Sequence, residues 1–149
     1  MKIRPATKFD IPQLIEMLKR YRDHSPLACL KLSNEEAYIQ ELLHQVIAGR
    51  GIIFVADYVK EIAGMLIAVR NTNAWDPNIL AMNELCYWVD IQYRNTSAGY
   101  KLLSKYRDYA QELKDQGQIE YFTISKMVNS PDLNYDRFGF RKLEEMWEQ

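Results

Sequence analysis

Apolar residues recur every three or four positions in two segments near the start of the chain. The first segment places four of them on one helical face: Ile11, Leu14, Ile15 and Leu18. The second does so with five: Ile39, Leu42, Leu43, Val46 and Ile47. Asp10 predicts the N-cap of the first helix, which should run to about Arg22. Ser33 followed by Glu36 predicts a capping box for the second helix, which Gly49 ends.

Strands are predicted where short β-rich or alternating runs replace the helical period. They lie at residues 2–6, 52–56, 62–69 and 79–91. A loop over residues 71–78, which contains a proline and three asparagines, separates the last two strands. In the strand over 79–91, Leu85, Tyr87 and Val89 alternate with even-numbered residues that begin at Glu84. The strand is therefore predicted to have two faces of different composition, one of which carries Glu84.

The remainder of the chain predicts one long helix and three shorter elements. Apolar positions mark the helix: Leu102, Leu103, Tyr106, Ala110 and Leu113. Gly117 ends it, and residues 119–124 predict another strand. A short helix from about Asp132 to Phe138 should stop at Gly139, and residues 140–147 predict a closing strand.

The order of these elements, β-α-α-β-β-β-α-β-α-β, predicts an α/β fold. The three-strand antiparallel run followed by crossover units implies a mixed, mostly antiparallel central sheet with helices on both faces. A chain of 149 residues is long enough for one core, and it contains no repeat or linker. We therefore expect residues 1–149 to form a single domain.

Composition and charge narrow the classes of partner. Hydrophobic residues make up 48% of the chain and the net charge is -1, which argues against attraction to nucleic acid or anionic lipid. No segment approaches the roughly 20 apolar residues of a membrane span, so a cytoplasmic location without membrane contact is expected. Cys29, Cys86, His24 and His44 lack the spacing of metal ligands, so no metal site is expected, and the histidines should face solvent or cap helices.

Two motifs stand at junctions of the predicted elements. The first is VDIQYRNTSAGYKLL, from Val89 to Leu103, and the second is YDRFGF, from Tyr135 to Phe140. In this order they resemble the strand, RxxGxG/A loop and helix, and the YxxxGF ending, of the GNAT superfamily of N-acetyltransferases. The resemblance covers nearly the whole chain. It implies a GNAT-like fold and an enzyme that transfers the acetyl group of acetyl-CoA to an amine.

The resemblance also implies a binding site for acetyl-CoA. The loop leads into a helix start, where unpaired amides and the helix dipole hold an anion such as the CoA diphosphate. The implied donor-binding residues are Val89, Ile91, Arg94, Asn95, Thr96, Ser97, Ala98, Gly99, Tyr100 and Asn129. Among them, the backbone amide of Val89 is expected to bind the thioester carbonyl. Taken without the resemblance, the same loop equally fits an ordinary strand-to-helix turn.

Two side chains are implied to take part in the chemistry. A lysine-like acceptor amine is protonated at pH 7, and removing its proton costs roughly 4.6 kcal/mol, so a base is useful. Glu84 is the candidate base, acting directly or through a water, and its other reading is a solvated or salt-bridged carboxylate. Tyr135 matches the family's proton donor to the departing thiolate, and its other reading is a core aromatic.

Several departures and alternatives stay open. Ser97 stands where the family usually has a glycine, and Asn129 is displaced by one position relative to Tyr135. These departures favour a second reading, a catalytically degenerate CoA-binding module that acts as a sensor. Recognition of tRNA is a third reading, against which the near-neutral charge argues. The last strand is short or absent, so a partner chain that supplies it would form a homodimer. The acceptor pocket is expected at residues 22–32 and 71–78, with Trp75 as a candidate gate.

Overall fold

One sheet forms the centre of the computed structural model, which describes residues 1–131 and 133–149. Its strands are β1 (Lys2–Pro5), β2 (Gly51–Tyr58), β3 (Glu61–Thr72), β4 (Leu80–Val89) and β5 (Tyr121–Thr123), in the order β1-β2-β3-β4-β5. The first four strands are antiparallel, and β5 runs parallel to β4. This topology confirms the predicted α/β fold with a mixed, mostly antiparallel sheet.

Helices cover both faces of the sheet, as predicted. They are α1 (Ile11–His24), α2 (Glu36–Gln45) and α3 (Ala98–Asp115). One core lies between the sheet and the first two helices, with Leu14, Met17 and Leu43 fully buried. A second core lies between the other face and α3, around Leu102 and Tyr106. Within the described residues, no helix combines the length and the hydrophobicity that a membrane span requires.

The predicted helix caps take other roles. Asp10 makes no cap hydrogen bond to α1, because its carboxylate accepts hydrogen bonds from the Arg4 guanidinium at 2.8 and 2.9 Å and from the Thr7 amide at 2.7 Å. The hydroxyl of Ser33 donates to the carbonyl of Leu30, within a 3₁₀ turn and its C-cap rather than at the start of α2. The capping box predicted at Ser33 is therefore wrong.

A bulge interrupts the predicted alternation along β4. Cys86 lies opposite Ile67, whereas Glu84 lies opposite Ala68, so Leu85 has no partner on β3. Side chains directly opposite each other share a face of the sheet, and the extra residue therefore reverses the phase of the strand. Glu84 lies on the α3 face and Cys86 on the α1 face, which corrects the predicted uninterrupted alternation.

The closing strand predicted over residues 140–147 is absent. A 3₁₀ turn, Tyr135–Phe138, ends at Gly139, whose φ is 88°, and residues 140–149 contain no strand. Three apolar side chains of this segment are exposed: Leu143, Met146 and Trp147. The neighbouring β5 is regular over only three residues and so offers a short edge for pairing. Asp132, where the short helix was predicted to begin, lies outside the described residues.

Candidate active site

A cleft opens where β4 and β5 separate. The two strands pair only between residues 81–83 and 121–123, and β4 then continues to Val89 while the chain after Thr123 turns away. The resulting space has a volume of about 180 Å³. Its walls are β4 from Glu84 to Val89 and residues 125–131 and 133–135, and the loop before α3 closes one end.

The open edge of β4 directs a backbone amide into this cleft. The Asp90 amide donates to the carbonyl of Ala63, at 2.9 Å, so it points toward β3. Successive residues of a strand direct their backbone groups to opposite sides, and the Val89 amide therefore points the other way. The Val89 carbonyl accepts a hydrogen bond of 2.9 Å from Nε of Arg94. This leaves the amide of Val89 as the donor at that position of the cleft.

Glu84 lines the same cleft beside the bulge. Its side chain is half-buried, and no hydrogen bond or ion pair to its carboxylate occurs within the described part of the chain. Burial in this site raises the pKa of Glu84 to about 8. A carboxyl group with a pKa so close to neutral can both take up and release a proton at physiological pH.

Two tyrosines line the cleft together with Glu84. The hydroxyl of Tyr135 donates to the carbonyl of Ser125 at 3.1 Å, and that of Tyr87 donates to the carbonyl of Gly99 at 2.5 Å. Burial raises the pKa of both phenols, so each keeps its proton at physiological pH. Phe138, which packs against Tyr100 at 5.3 Å between ring centroids, anchors the turn that carries Tyr135.

The loop before α3 leaves some of its amides unpaired. The amides of Arg94, Thr96 and Ala98 bond within residues 91–96, so the predicted run of free amides is only partly present. The first helical bond of α3 joins the Lys101 amide to the Ser97 carbonyl, at 2.9 Å. Among the described residues, the amides of residues 99 and 100 therefore have no partner at the positive end of the α3 dipole, where an anion binds favourably.

The loop backbone accepts Ser97 in place of the family's glycine. The φ of Ser97 is -80°, which any residue adopts without strain. Gly99 is the position with a steric requirement, because a Cβ there would lie 3.2 Å from the Tyr87 hydroxyl oxygen. The absence of a side chain at Gly99 therefore keeps the cleft open at the start of α3.

Arg94 lies at the same end of the cleft. Its guanidinium carbon stands 4.5 Å from the centre of the Trp88 ring, and its Nε is bonded to the Val89 carbonyl. The terminal nitrogens of Arg94 have no hydrogen-bond partner among the described residues. They are consequently available to an anion that approaches the unpaired amides of the loop.

The structure brings together seven of the predicted site residues. Those that line the cleft are Glu84, Val89, Arg94, Thr96, Gly99, Tyr100 and Tyr135. The other side chains do not line it. Ile91 is 68% exposed in a 3₁₀ turn after β4, Ala98 is buried in the core under α3, and the side chains of Asn95 and Ser97 face solvent.

Asn129 joins the far wall of the cleft to α1 instead of lining the space. Its side-chain amide donates to the carbonyl of His24 at 2.8 Å, and its own carbonyl lies 3.4 Å from Nε2 of His24. The imidazole of His24 in turn packs against Trp88, with 5.2 Å between ring centroids. His24 is therefore partly exposed, as expected of a histidine at a helix end, and also packs against Trp88, a contact that was not expected.

The sequence did not indicate several residues of the cleft. Tyr21 and His24 lie three positions apart on one face of α1, a spacing that is a usable signal. Five others come from a segment without periodicity: Ser125, Met127, Ser130, Pro131 and Leu133. Of the two segments predicted for the acceptor, only His24 reaches the cleft. Trp75 is 94% exposed in the loop before β4, so it does not gate this space.

Comparisons with known proteins identify the fold. The sequence matches no family model, and it matches none of the curated proteins. An aminoglycoside acetyltransferase from an uncultured soil metagenomic sample, crystallised with sisomicin, superposes with a TM-score of 0.68 at 18% identity, covering 99% of this chain and 92% of that one.

Two further acetyltransferase structures agree. A predicted acetyltransferase from Clostridium acetobutylicum, crystallised with acetyl-CoA, has a TM-score of 0.71 at 13% identity and covers 99% of this chain and 94% of that one. An acetyltransferase from Trypanosoma brucei has a TM-score of 0.68 at 16% identity, with coverages of 99% and 97%. The protein therefore has the fold of the GNAT superfamily of acetyltransferases.

Proposed function

We propose that this protein is an acetyl-CoA-dependent N-acetyltransferase, which transfers the acetyl group directly to a primary amine. The observation that carries the proposal is the cleft along the open edge of β4. It combines the Glu84 carboxyl group, whose pKa is about 8, with the amides at the start of α3, and neither has a hydrogen-bond partner among the residues that the structure describes. Structures of the same fold with bound acetyl-CoA and with a bound aminoglycoside support this assignment.

The residues at the α3 end of the cleft fit the diphosphate of acetyl-CoA. The amides of Gly99 and Tyr100 and the terminal nitrogens of Arg94 supply donors and positive charge on one side of the opening. Gly99 lets an anion approach the backbone closely. When bound, acetyl-CoA supplies an acetyl group that is activated as a thioester. The Val89 amide donates a hydrogen bond to the carbonyl oxygen on which negative charge develops.

Glu84 serves as the base in this proposal. An amine with an ordinary pKa near 10.4 loses its proton with difficulty at pH 7, and it must be neutral to attack. A carboxylate whose pKa is raised to about 8 is a stronger base than an exposed glutamate, so it takes up that proton more readily. The absence of a counter-ion to Glu84 within the described residues keeps this carboxylate accessible to the amine.

Tyr135 contributes less. Its phenol keeps the proton because burial raises its pKa above the usual range. Transfer of that proton to a thiolate is therefore uphill, since a thiol has an ordinary pKa near 8.5. We assign to Tyr135 a hydrogen-bonding role near the departing sulfur, for which it must turn away from the carbonyl of Ser125.

The amine binds in the part of the cleft beside Glu84. The same cleft is lined by Tyr21 and His24 of α1 and by Met127 and Pro131 of the far wall. A small-molecule amine is the acceptor class that this opening favours, because the lining side chains leave room for a compact group beside Glu84. An aminoglycoside is one candidate, on the precedent of the metagenomic enzyme of the same fold.

Turnover with a panel of amines tests the proposal. Release of CoA thiol from acetyl-CoA is measured with polyamines, amino acids and aminoglycosides, and the acetylated product is identified by mass spectrometry. The wild-type protein should acetylate at least one of these amines, and Glu84→Gln should lose most of that activity. Saturable binding of acetyl-CoA without turnover on any amine would instead favour a CoA-binding module.

A further inference from the structure

Asp90 is a buried carboxylate at the point where β4 ends. It is 5% exposed, and its Oδ1 accepts hydrogen bonds of 2.8 Å from Nε of Arg20 on α1 and from Nε1 of Trp88. Its Oδ2 accepts a third, also of 2.8 Å, from Nη2 of Arg20. The side chain of Asp90 thus joins α1 to the end of β4, through a bidentate ion pair with Arg20 and a hydrogen bond from the indole N–H of Trp88.

The backbone of Asp90 fixes the beginning of the donor-binding loop. Its amide donates to the carbonyl of Ala63 on β3, and its carbonyl accepts from the amide of Tyr93 at 2.8 Å. The residue therefore belongs both to the sheet and to the 3₁₀ turn that leads to Arg94. A change in the side chain of Asp90 can therefore shift the loop, because the hydrogen bond from Tyr93 to Asp90 lies only one residue before Arg94.

Trp88 links Asp90 to Arg94. The indole is held at its N–H by Asp90 and at its edges by Tyr21 and His24, at centroid distances of 6.1 and 5.2 Å. The guanidinium of Arg94 lies over this fixed ring at 4.5 Å. Since the carboxylate of Asp90 is paired with Arg20, the charge of Arg94 is left for another partner.

We propose that Arg20, Asp90 and Trp88 form a positioning network that holds the Arg94 guanidinium in place for the diphosphate of acetyl-CoA. The inference rests on the proposed function. A free arginine side chain loses much of its rotamer freedom when it binds an anion. An arginine already held between an indole ring and a strand carbonyl avoids most of that loss. The network acts through Arg94 and does not contact the donor.

The test compares donors with and without the diphosphate. Dissociation constants are measured by calorimetry for acetyl-CoA and for acetyl-pantetheine, which lacks the diphosphate, with the wild type, Asp90→Asn and Trp88→Phe. Both variants should bind acetyl-CoA about tenfold more weakly, the usual size for one hydrogen bond to a charged group. Binding of acetyl-pantetheine should stay unchanged. In an Arg94→Gln background, Asp90→Asn should cause no further loss.

Asp10→Asn is the matched control. Asp10 is 6% exposed and forms a bidentate ion pair with Arg4, so its removal also breaks a buried pair but far from the α3 loop. This variant should unfold at a lower temperature and bind acetyl-CoA as the wild type does. If Asp90→Asn fails to fold, Trp88→Phe, which keeps an aromatic ring under Arg94 and removes the pyrrole ring with its N–H donor, decides alone.

The outcomes separate the two proposals. A wild-type protein that does not bind acetyl-CoA would remove the proposed function itself. A wild type that binds, together with variants that bind acetyl-CoA equally well, would overturn the positioning network. So would an equal loss for acetyl-pantetheine, or losses that add in the Arg94→Gln background, since either result would indicate a general structural defect.

Discussion

At the scale of single residues, Glu84 faces the cleft because a bulge lies beside it in β4. In a regular strand, with Leu85 paired to β3, Glu84 and Cys86 would lie two residues apart and therefore on the same face, under α1. The bulge instead leaves the carboxyl group half-buried among Tyr87 and Tyr135, where burial raises its pKa to about 8. Both the position and the basicity of this group follow from one irregularity in β4.

The first prediction concerns the pH dependence of turnover. The base must be unprotonated, so kcat/KM should rise with pH through an apparent pKa of about 8 and then level off. Glu84→Gln should lower kcat/KM at pH 8.5 by about 100-fold or more and abolish this step. Glu120→Gln, a change at an exposed glutamate, should leave the profile as in the wild type. A wild-type profile without a step near pH 8 would contradict the role of Glu84.

The second prediction concerns stability: the contribution of Glu84 to the free energy of unfolding should fall as pH rises through the range in which activity increases. The pKa of Glu84 is raised in the folded protein from 4.5, so its protonated form favours folding. The contribution is fully present below pH 4.5 and is lost as pH rises through about 8. The free energy of unfolding of Glu84→Gln relative to wild type should therefore increase between pH 5 and pH 9, as measured by urea unfolding. A constant difference would show that Glu84 has an ordinary pKa.

Tyr135→Phe tests the minor role of the phenol. Its hydroxyl is bonded to the carbonyl of Ser125 and its pKa is raised, so it is a poor acid. We expect kcat to fall by less than about 100-fold, below the usual contribution of a general acid. Tyr38→Phe, on the exposed side of α2, is the control and should have no effect. A loss as large as that of Glu84→Gln would make Tyr135 an essential proton donor.

Resemblance to a family indicated the residues whose type carries the chemistry. Glu84, Arg94, Gly99 and Tyr135 were predicted on that basis, and all four line one cleft. His24 was not, since its place depends on how α1 packs against Trp88. Asn129 was predicted to bind the donor, yet its side chain bonds to α1, a contact between positions 105 residues apart that no local pattern encodes.

At the scale of elements, the strand, loop and helix from β4 to α3 form the unit that we propose as the donor-binding site. Its glycine requirement falls on Gly99 and not on Ser97, because only a Cβ at Gly99 would crowd Tyr87. The sequence showed the departure at Ser97 from the family pattern. It did not show that the backbone there has an ordinary negative φ, since that angle depends on the tertiary course of the loop.

Gly99→Ala should weaken the binding of acetyl-CoA without lowering the stability of the protein. The new Cβ displaces the Tyr87 hydroxyl and narrows the α3 end of the cleft, so the Kd for acetyl-CoA should rise several-fold. An alanine gains about 1 kcal/mol over glycine in a helix, which offsets the crowding, and Tm should stay close to wild type. Ser97→Gly, the control, should change stability by only a few tenths of a kcal/mol and leave the Kd unchanged. An unchanged Kd for Gly99→Ala would place the donor elsewhere.

The end of the chain shows where element prediction failed. Residues 140–147 were predicted to form a closing strand, although their apolar residues, Phe140, Leu143, Met146 and Trp147, do not alternate with the charged ones. A strand forms only with a partner edge, and β5 is regular over three residues. The exposed side chains of Met146 and Trp147 keep the expectation of a homodimer as a prediction, which the molar mass in solution tests directly.

At the scale of the whole molecule, the division of the sheet creates the site. The order of elements was enough to predict a mixed sheet with helices on both faces, because the periods of 3.6 and 2 residues are strong local signals. The point where β4 and β5 separate was not predictable from the residues alone. It depends on pairing that stops after Asn83 and on the bulge at Leu85, both of which are set by packing across the sheet.

The most direct test is a structure of the protein with acetyl-CoA. We expect the diphosphate at the amides of Gly99 and Tyr100, next to Arg94, and the thioester carbonyl at the Val89 amide with the acetyl group toward Glu84. Density for acetyl-CoA on any other surface would contradict this placement, as would an empty cleft at saturating concentration.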